Sequence, residues 1–447
     1  MMDWYVVLFL AIVLLIVHMK EFAEHRHVFR YFLPHRELRL SHGIFLLLVH
    51  FVSGLSLFVP MAVTYRYHYA GGAVLALAGA IVTVAVAGKL EPRRSGIASS
   101  DNLAAYVRRL FRGNSHVPML VVLIAAASEG LVLNTWFAGY LLNSMFGIPP
   151  LLTAALLLAF TAVYAGLGGI GGFHRVGLWL FGIFFAALTF IPVSVYLFKG
   201  IDPIWLQLQE RHLLQADPKY LLAGTLAYSV LFAGRLMLHM LVYPEYSLIK
   251  KERSRLTFRL TTICGGALPL SGSIILLYLL SLSQPAGTYP MPLPDVLAVI
   301  PSGLSLPVLY LLMLLALSSF AIGAGVSLLG MLHALHGACA ALSSTRRVYA
   351  AGMLLCAVPL AAIPFAEQAV RAGVVFYAHL FLSAAYPLFK LRSRESLNGY
   401  AVAGAILLST CAGCAVTGYV QWIWGSAVSV TIAYISIRVY GRKPIKI

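Results

Sequence analysis

The chain has 447 residues; 60% are hydrophobic and only 11% charged, and the mean hydropathy is +0.87. A water-soluble domain carries about 25% charged residues, so the composition excludes one and points to a polytopic membrane protein. The formal net charge of +17 would suit nucleic acid, but the basic residues fall almost entirely between the apolar runs, where they act as topology and lipid-headgroup signals.

Hydropathy predicts thirteen membrane spans: 4–19, 42–64, 70–88, 117–143, 149–167, 176–198, 220–243, 260–283, 304–337, 348–366, 373–389, 397–418 and 421–437. The first has no basic residue before it and no small-residue cleavage site after it, so it reads as a retained helix rather than a signal peptide. With the N-terminus outside, all but six of the 32 basic residues lie on the inner face. The six are Arg66, Lys199, Arg211, Lys219 and Arg371 on outer loops, and Arg235 within a span. The odd span number then places the basic C-terminal tail in the cytoplasm, as expected of a multi-pass protein of the plasma (inner) membrane. Trp4, Tyr5, Tyr65, Tyr67, Tyr220, Trp422 and Trp424 form the interfacial belt.

Between the spans, Asp101–Arg112 reads as a short amphipathic surface helix with an acidic N-cap. The longest outer segments are Gly200–Asp217 and the proline-rich Gln284–Gly303. Neither they nor any other connection holds a soluble domain. The five cysteines, 264, 339, 356, 411 and 414, lie in or beside apolar runs. The CxxC of Cys411 and Cys414 reads as small-residue helix packing rather than metal or redox chemistry.

Span 2 is interrupted by Ser53-Gly54 and Pro60, and span 7 by Gly234 next to Arg235. Carbonyls freed in mid-membrane persist only when buried in protein or lining a cavity. Spans 2 and 7 are five apart, and interruptions at matching positions of two halves point to an inverted repeat with a midplane site. Ordinary Gly and Pro in membrane helices remain the alternative. Glu129 in span 4 and Arg235 are the clearest intramembrane charges. Each costs about 2.5–3.5 kcal/mol at a helix centre on insertion scales, so each should face protein or water. Glu129 is open to three roles: a structural partner for Arg235 or a hydroxyl, a proton carrier, or a solute ligand. Arg235 could hold a carboxylate bidentately, or pair, or snorkel. His50 and His239 read as satisfied core histidines. GLGGIG, Gly166–Gly171, matches a dinucleotide fingerprint in letters only. It follows a membrane helix and lacks the strand and the later acid, so it is expected to make a tight inner turn. Span 9 carries Ser318-Ser319 beside small residues. These hydroxyls either bond back to the i−4 carbonyls or join carbonyls around a dehydrated cation.

Together these stretches resemble the solute:sodium symporter family, within the larger inverted-repeat (LeuT-type) group. The resemblance rests on the thirteen-span layout, the Ser53-Gly54 break, YVRRLFRG (Tyr106–Gly113), YAGLGGIGGFHRVGLW (Tyr164–Trp179) and LSSFAIGAGVSLL from Leu317. It implies an all-α fold with a five-plus-five inverted-repeat core and broken first helices in each repeat. The implied divisions are an N-terminal helix and basic loop (1–41), a first repeat (42–198), a second repeat (199–389) and two C-terminal helices with a basic tail (390–447). It also implies a sodium site formed by carbonyls near Val49 and Val52, the Leu315 carbonyl, and the Ser318 and Ser319 hydroxyls. Ser53, Gly54, Glu129, Trp136 and Arg235 are the corresponding solute-site candidates. The chain departs from the family where acids often sit: Trp179 is followed by Leu180 and Phe181, and span 2 has no acid.

The expected function is sodium-coupled symport of a small organic solute, anionic or zwitterionic in view of Arg235, by alternating access. Two alternatives stay open. One is a proton-coupled or uncoupled transporter of the same fold that uses Glu129. The other is a transport-inactive membrane sensor or complex subunit. No nucleophile with a base and no metal-ligand cluster suggests an enzyme.

Overall fold

A computed structural model describes residues 4–17, 31–32, 40–49, 52–53, 59–61, 63–64, 70–90, 107, 111, 116–210, 218–242, 249, 251–282, 306–338, 342, 344–390, 398–419 and 422–440. Every regular element among them is helical. In chain order these are α1 (Trp4–Val17), α2 (Leu40–Val49), α3 (Gly71–Leu90), α4 (His116–Phe146), α5 (Pro150–Thr161) with a π segment (Ala162–Leu167), and α6 (Gly169–Lys199). There follow α7 (Asp202–Glu210), α8 (Pro218–Val242), α9 (Lys251–Leu282), α10 (Leu306–Ala338), α11 (Thr345–Ala357) with a 3₁₀ extension (Val358–Phe365), α12 (Ala366–Lys390), α13 (Gly399–Tyr419) and α14 (Trp422–Tyr440). Nine of the described helices are long and apolar enough to cross a membrane, and three shorter apolar ones accompany them. Each of the thirteen expected spans has a helix at its place, and the protein is an all-α polytopic membrane protein.

The bundle is built around α10. Of its best membrane-spanning window 83% is buried, against 28% for α8, so α10 is core and α8 is rim. α10 packs on α4 and α6, α3 packs on α9 and α8, α2 packs on α9, and α8 packs on α12. In hydrocarbon, helices associate by close packing and hydrogen bonds rather than by water exclusion. The α4–α10 crossing obeys this: Gly130 sits directly on the Gly323 carbonyl, and the Ser327 hydroxyl donates to the Ala127 carbonyl. The last two helices are tied to the core by one imidazole. His379 of α12 meets the Ser429 hydroxyl through Nδ1 at 2.9 Å and the Thr417 hydroxyl through Nε2 at 2.7 Å. Gly413, between Cys411 and Cys414, packs on Gly425, so that stretch serves helix packing.

One expectation changes, and others are placed or lie outside the described residues. The break at Gly234 is not observed: α8 is continuous from Pro218 to Val242. Gly234 instead lets α8 touch the α12 backbone, where a Cβ would lie 2.7 Å from the Phe381 carbonyl carbon and 3.1 Å from the Ala385 nitrogen. GLGGIG makes a tight turn at Gly168: α5 widens into the π segment, turns there and enters α6 seven residues earlier than expected. Gly169 there has φ +56°, and a Cβ on it would strike Tyr31 at 2.8 Å. Asp101–Arg112 lies outside the described residues except Val107 and Phe111, and both of these are buried; His50 and Gln284–Gly303 also lie outside.

Candidate functional site

Span 2 does break. α2 ends at Val49, and the Val52 amide is shared between the Leu48 carbonyl at 3.1 Å and the Val49 carbonyl at 3.2 Å. Val52 and Ser53 are non-helical yet almost fully buried. Carbonyls at a helix end share few helical donors, and here one amide serves two of them. In a membrane core that is tolerable only against protein or a polar ligand. Gly54 lies outside the described residues.

The break lies against α10. A Cβ built on Gly323 would sit 3.0 Å from Ser53 Cβ and 3.1 Å from Asn134 Cγ. Gly323 is one turn beyond Ser319, so the end of α2 approaches the hydroxyl pair's own helix within a turn. Leu315, Ser318 and Ser319 are all buried. The Ser318 hydroxyl donates to the Leu314 carbonyl at 2.6 Å, with Leu315 at 3.1 Å, and the Ser319 hydroxyl donates to Ala316 at 2.8 Å. The back-bonding alternative is therefore realised, and it is compatible with a cation. A hydroxyl that donates its proton along its own helix keeps its oxygen lone pairs for an acceptor role. Neutral hydroxyl and carbonyl oxygens fit a hard monovalent cation and offer a softer divalent metal neither sulfur nor imidazole.

A second polar centre lies between α4, α8 and α12. Glu129 Oε2 accepts from Arg235 Nε at 3.0 Å, and His239 Nε2 stands 3.6 Å from the same oxygen. Glu129 is 1% exposed and Arg235 11%. Glu129 Oε1 has no hydrogen-bond partner among the described residues. One residue back, the Ser128 hydroxyl meets the Tyr377 hydroxyl of α12 at 2.8 Å. Of the roles open to Glu129, pairing with Arg235 is the one seen, and it lowers the insertion cost of both charges. His239 is buried as expected, with its ring 6.1 Å from that of Phe381. Residues 227–233 of α8, just before Arg235, are each partly exposed, as suits a helix on the rim of the bundle. Trp136 is drawn elsewhere: Nε1 donates to the Pro359 carbonyl at 3.0 Å and the ring packs on Gly373.

Two tyrosines were not foreseen. Tyr164 donates to the Ala321 carbonyl of α10 at 2.5 Å, which fixes the π segment on the helix that carries the hydroxyl pair. Tyr31, in the segment between α1 and α2, donates to the Gly166 carbonyl at 2.7 Å, with Ala165 at 3.2 Å. Its neighbour Phe32 lies against the rings of His333 and His336. The YAGLGG stretch could have flagged Tyr164, since a π turn leaves carbonyls that need donors; Tyr31 has no such local sign.

No protein-family model matches the sequence, and no curated protein sequence does. Solved structures do match in fold. A Na+-coupled sialic acid symporter, in a substrate-bound outward-open state, aligns with 97% of this chain and 96% of its own at a TM-score of 0.71 and 14% identity. A manganese transporter of Eremococcus coleocola aligns over 90% of this chain and 92% of its own, at a TM-score of 0.54 and 14% identity. At this identity the likeness is one of fold.

Proposed function

We propose that this chain is a secondary active transporter that couples sodium to uptake of a small organic solute by alternating access. The observation that carries the reading is the buried break of α2 lying on α10 within one turn of Ser318 and Ser319. Val49, Val52 and Leu315 would supply carbonyl oxygens and the two serines hydroxyl oxygens to one sodium ion. Ser53, Gly54, Glu129 and Arg235 would lie on the solute side, with Arg235 favouring an anionic or zwitterionic solute, while Trp136 is turned to Pro359 instead. The fold it shares with a Na+-coupled symporter supports this.

The helix contacts support the five-plus-five division. α3 lies on α9 and α4 on α10, and each pair is five spans apart. The contact of α2 with α9 has its counterpart in that of α8 with α3. An inverted repeat relates such contacts by exchange of its halves. In this scheme the N-terminus is outside and the C-terminus cytoplasmic.

The energetics suffice. One sodium ion crossing ~100 mV releases about 2.3 kcal/mol, and a tenfold gradient adds about 1.4. Together they support roughly 500-fold accumulation. The test is uptake of labelled amino acids and carboxylates into proteoliposomes under an inward sodium gradient. Sodium-dependent uptake that is lost in Ser318→Ala/Ser319→Ala is expected; uptake equally dependent on sodium in that variant would overturn the assignment.

A second reading uses the same fold with protons. What favours it is the buried Glu129 carboxylate, with one oxygen paired and the other without a partner among the described residues. Uptake that follows a pH gradient, ignores sodium and is lost in Glu129→Gln would select it.

A further inference from the structure

The cation oxygens come from α2 and α10, yet a third helix sets how these two meet. Asn134 projects from α4 into the contact between the α2 break and α10. Its Nδ2 donates to the Gly130 carbonyl at 2.6 Å, which fixes the amide plane on its own helix. The amide then lies directly on Gly323 of α10, and Ser53 of the break meets the same face of that glycine. All three are buried or enclosed: Asn134 is 1% exposed and Ser53 3%. α10 cannot shift away from this contact easily, because one turn back on α4 Gly130 abuts the carbonyl of the same Gly323, and Tyr164 holds the Ala321 carbonyl.

A buried amide in such a position is costly unless its polar atoms are used. A leucine or alanine would satisfy packing between three helices with no such cost. The amide also stands beside the hydroxyl pair's helix in a chain whose α2 carries no acid. No carboxylate from that helix supports the cation, so neutral groups must hold its ligands in place by shape alone.

We infer that Asn134 is a positioning residue for the cation site. It wedges the α2 break against α10 and thereby sets the separation between the Val49 and Val52 carbonyls and the Ser318 and Ser319 hydroxyls. The inference rests on the cation reading given above. It assigns to α4 a second task besides carrying Glu129, which faces α8. Asn134 and Glu129 are five residues apart on one rigid helix, so the cation contact and the ion-pair cluster share a common support.

The test compares wild type, Asn134→Ala and Asn134→Asp in detergent, reading thermal stabilisation against sodium chloride with choline chloride at constant ionic strength. Asn134→Ala removes the wedge and should raise the half-saturating sodium concentration about tenfold, as loss of outer-shell support typically does. Asn134→Asp keeps the size; protonated, it can still donate to the Gly130 carbonyl, and ionised, it gives up that bond but adds a negative charge near the cation. It should lower that concentration about tenfold above the carboxylate's pKa and lose the gain in acid, a signature packing alone does not produce. If Asn134→Ala fails to yield a monodisperse protein, Asn134→Asp and Gly323→Ala carry the test, the latter crowding the same contact and weakening sodium. Wild type stabilised by sodium with all variants responding identically overturns the role of Asn134 alone. Wild type that does not distinguish sodium from choline overturns the cation reading and this inference together.

Discussion

Two polar regions sit in the apolar bundle, and they satisfy hydrocarbon in opposite ways. Around the α2 break the polar groups among the described residues are neutral, and the serines bond to carbonyls of their own helix. Around Glu129 the groups are charged and bond across helices, Arg235 lying 106 positions along the chain from its partner. The serine hydroxyls of the first region are satisfied within their own helix and have lone pairs to spare, so they can accept a charge from outside. The second has already matched its charges within the protein, so it binds α4 to α8. One is suited to a transient ion; the other, with its charges paired, holds helices in register until an anionic solute competes for Arg235.

The largest predicted effect tests the ion pair. Glu129→Ala or Arg235→Ala should each destabilise the protein by about 3–5 kcal/mol, because the remaining charge is left buried without its partner. The double variant Glu129→Gln/Arg235→Met should lose less than the sum of the singles, and a double-mutant cycle of thermal or denaturant unfolding in detergent measures the coupling. Additive losses would mean that the two charges are solvated independently and the contrast collapses.

Next comes the α8–α12 contact that supports the pair. Gly234→Ala inserts a methyl group against the Phe381 carbonyl and should cost about 1–3 kcal/mol by overpacking, seen as a lower melting temperature. If α8 were kinked there, as the glycine alone suggests, the substitution would be tolerated.

Tyr31 gives a smaller effect with a pH signature. Tyr31→Phe removes the bonds to the Gly166 and Ala165 carbonyls and should cost about 0.5–1.5 kcal/mol per bond at neutral pH. Burial raises the Tyr31 hydroxyl well above the ordinary tyrosine value, with the nearby Tyr349 and Cys356 pushing the same way. Its contribution is therefore complete below the unfolded-state value of about 10 and is lost as pH climbs beyond it. The gap between wild type and Tyr31→Phe in unfolding experiments should narrow only at that alkaline end.

The smallest change in stability belongs to the neutral region, and it sharpens the contrast most. Without sodium, Ser318→Ala/Ser319→Ala should shift stability by no more than about 1 kcal/mol, because each hydroxyl and its back-bonded carbonyl are lost as a local unit. Sodium-dependent stabilisation should nevertheless disappear. A large loss in the absence of sodium would place these hydroxyls in the structural framework instead.

Much of this was legible in the sequence. Lipid solvation is a cost borne residue by residue, so hydropathy alone located the helices, and the Ser53-Gly54 interruption marked a real break. Glu129 and Arg235 stood out for the same reason: a charge in an apolar run is conspicuous wherever its partner lies. The pairing itself, the continuity of α8 through Gly234, the diversion of Trp136 to Pro359, and the parts played by Asn134, Tyr31 and Tyr164 were decided only by the tertiary structure. Glycine in a membrane helix can mark either a break or a close approach, and the choice depends on whether another backbone fills the space it leaves. Likewise a polar side chain's role depends on the rotation and depth of helices hundreds of residues away. Composition sets how much burial each residue demands, and only the assembled bundle decides against what each one is buried.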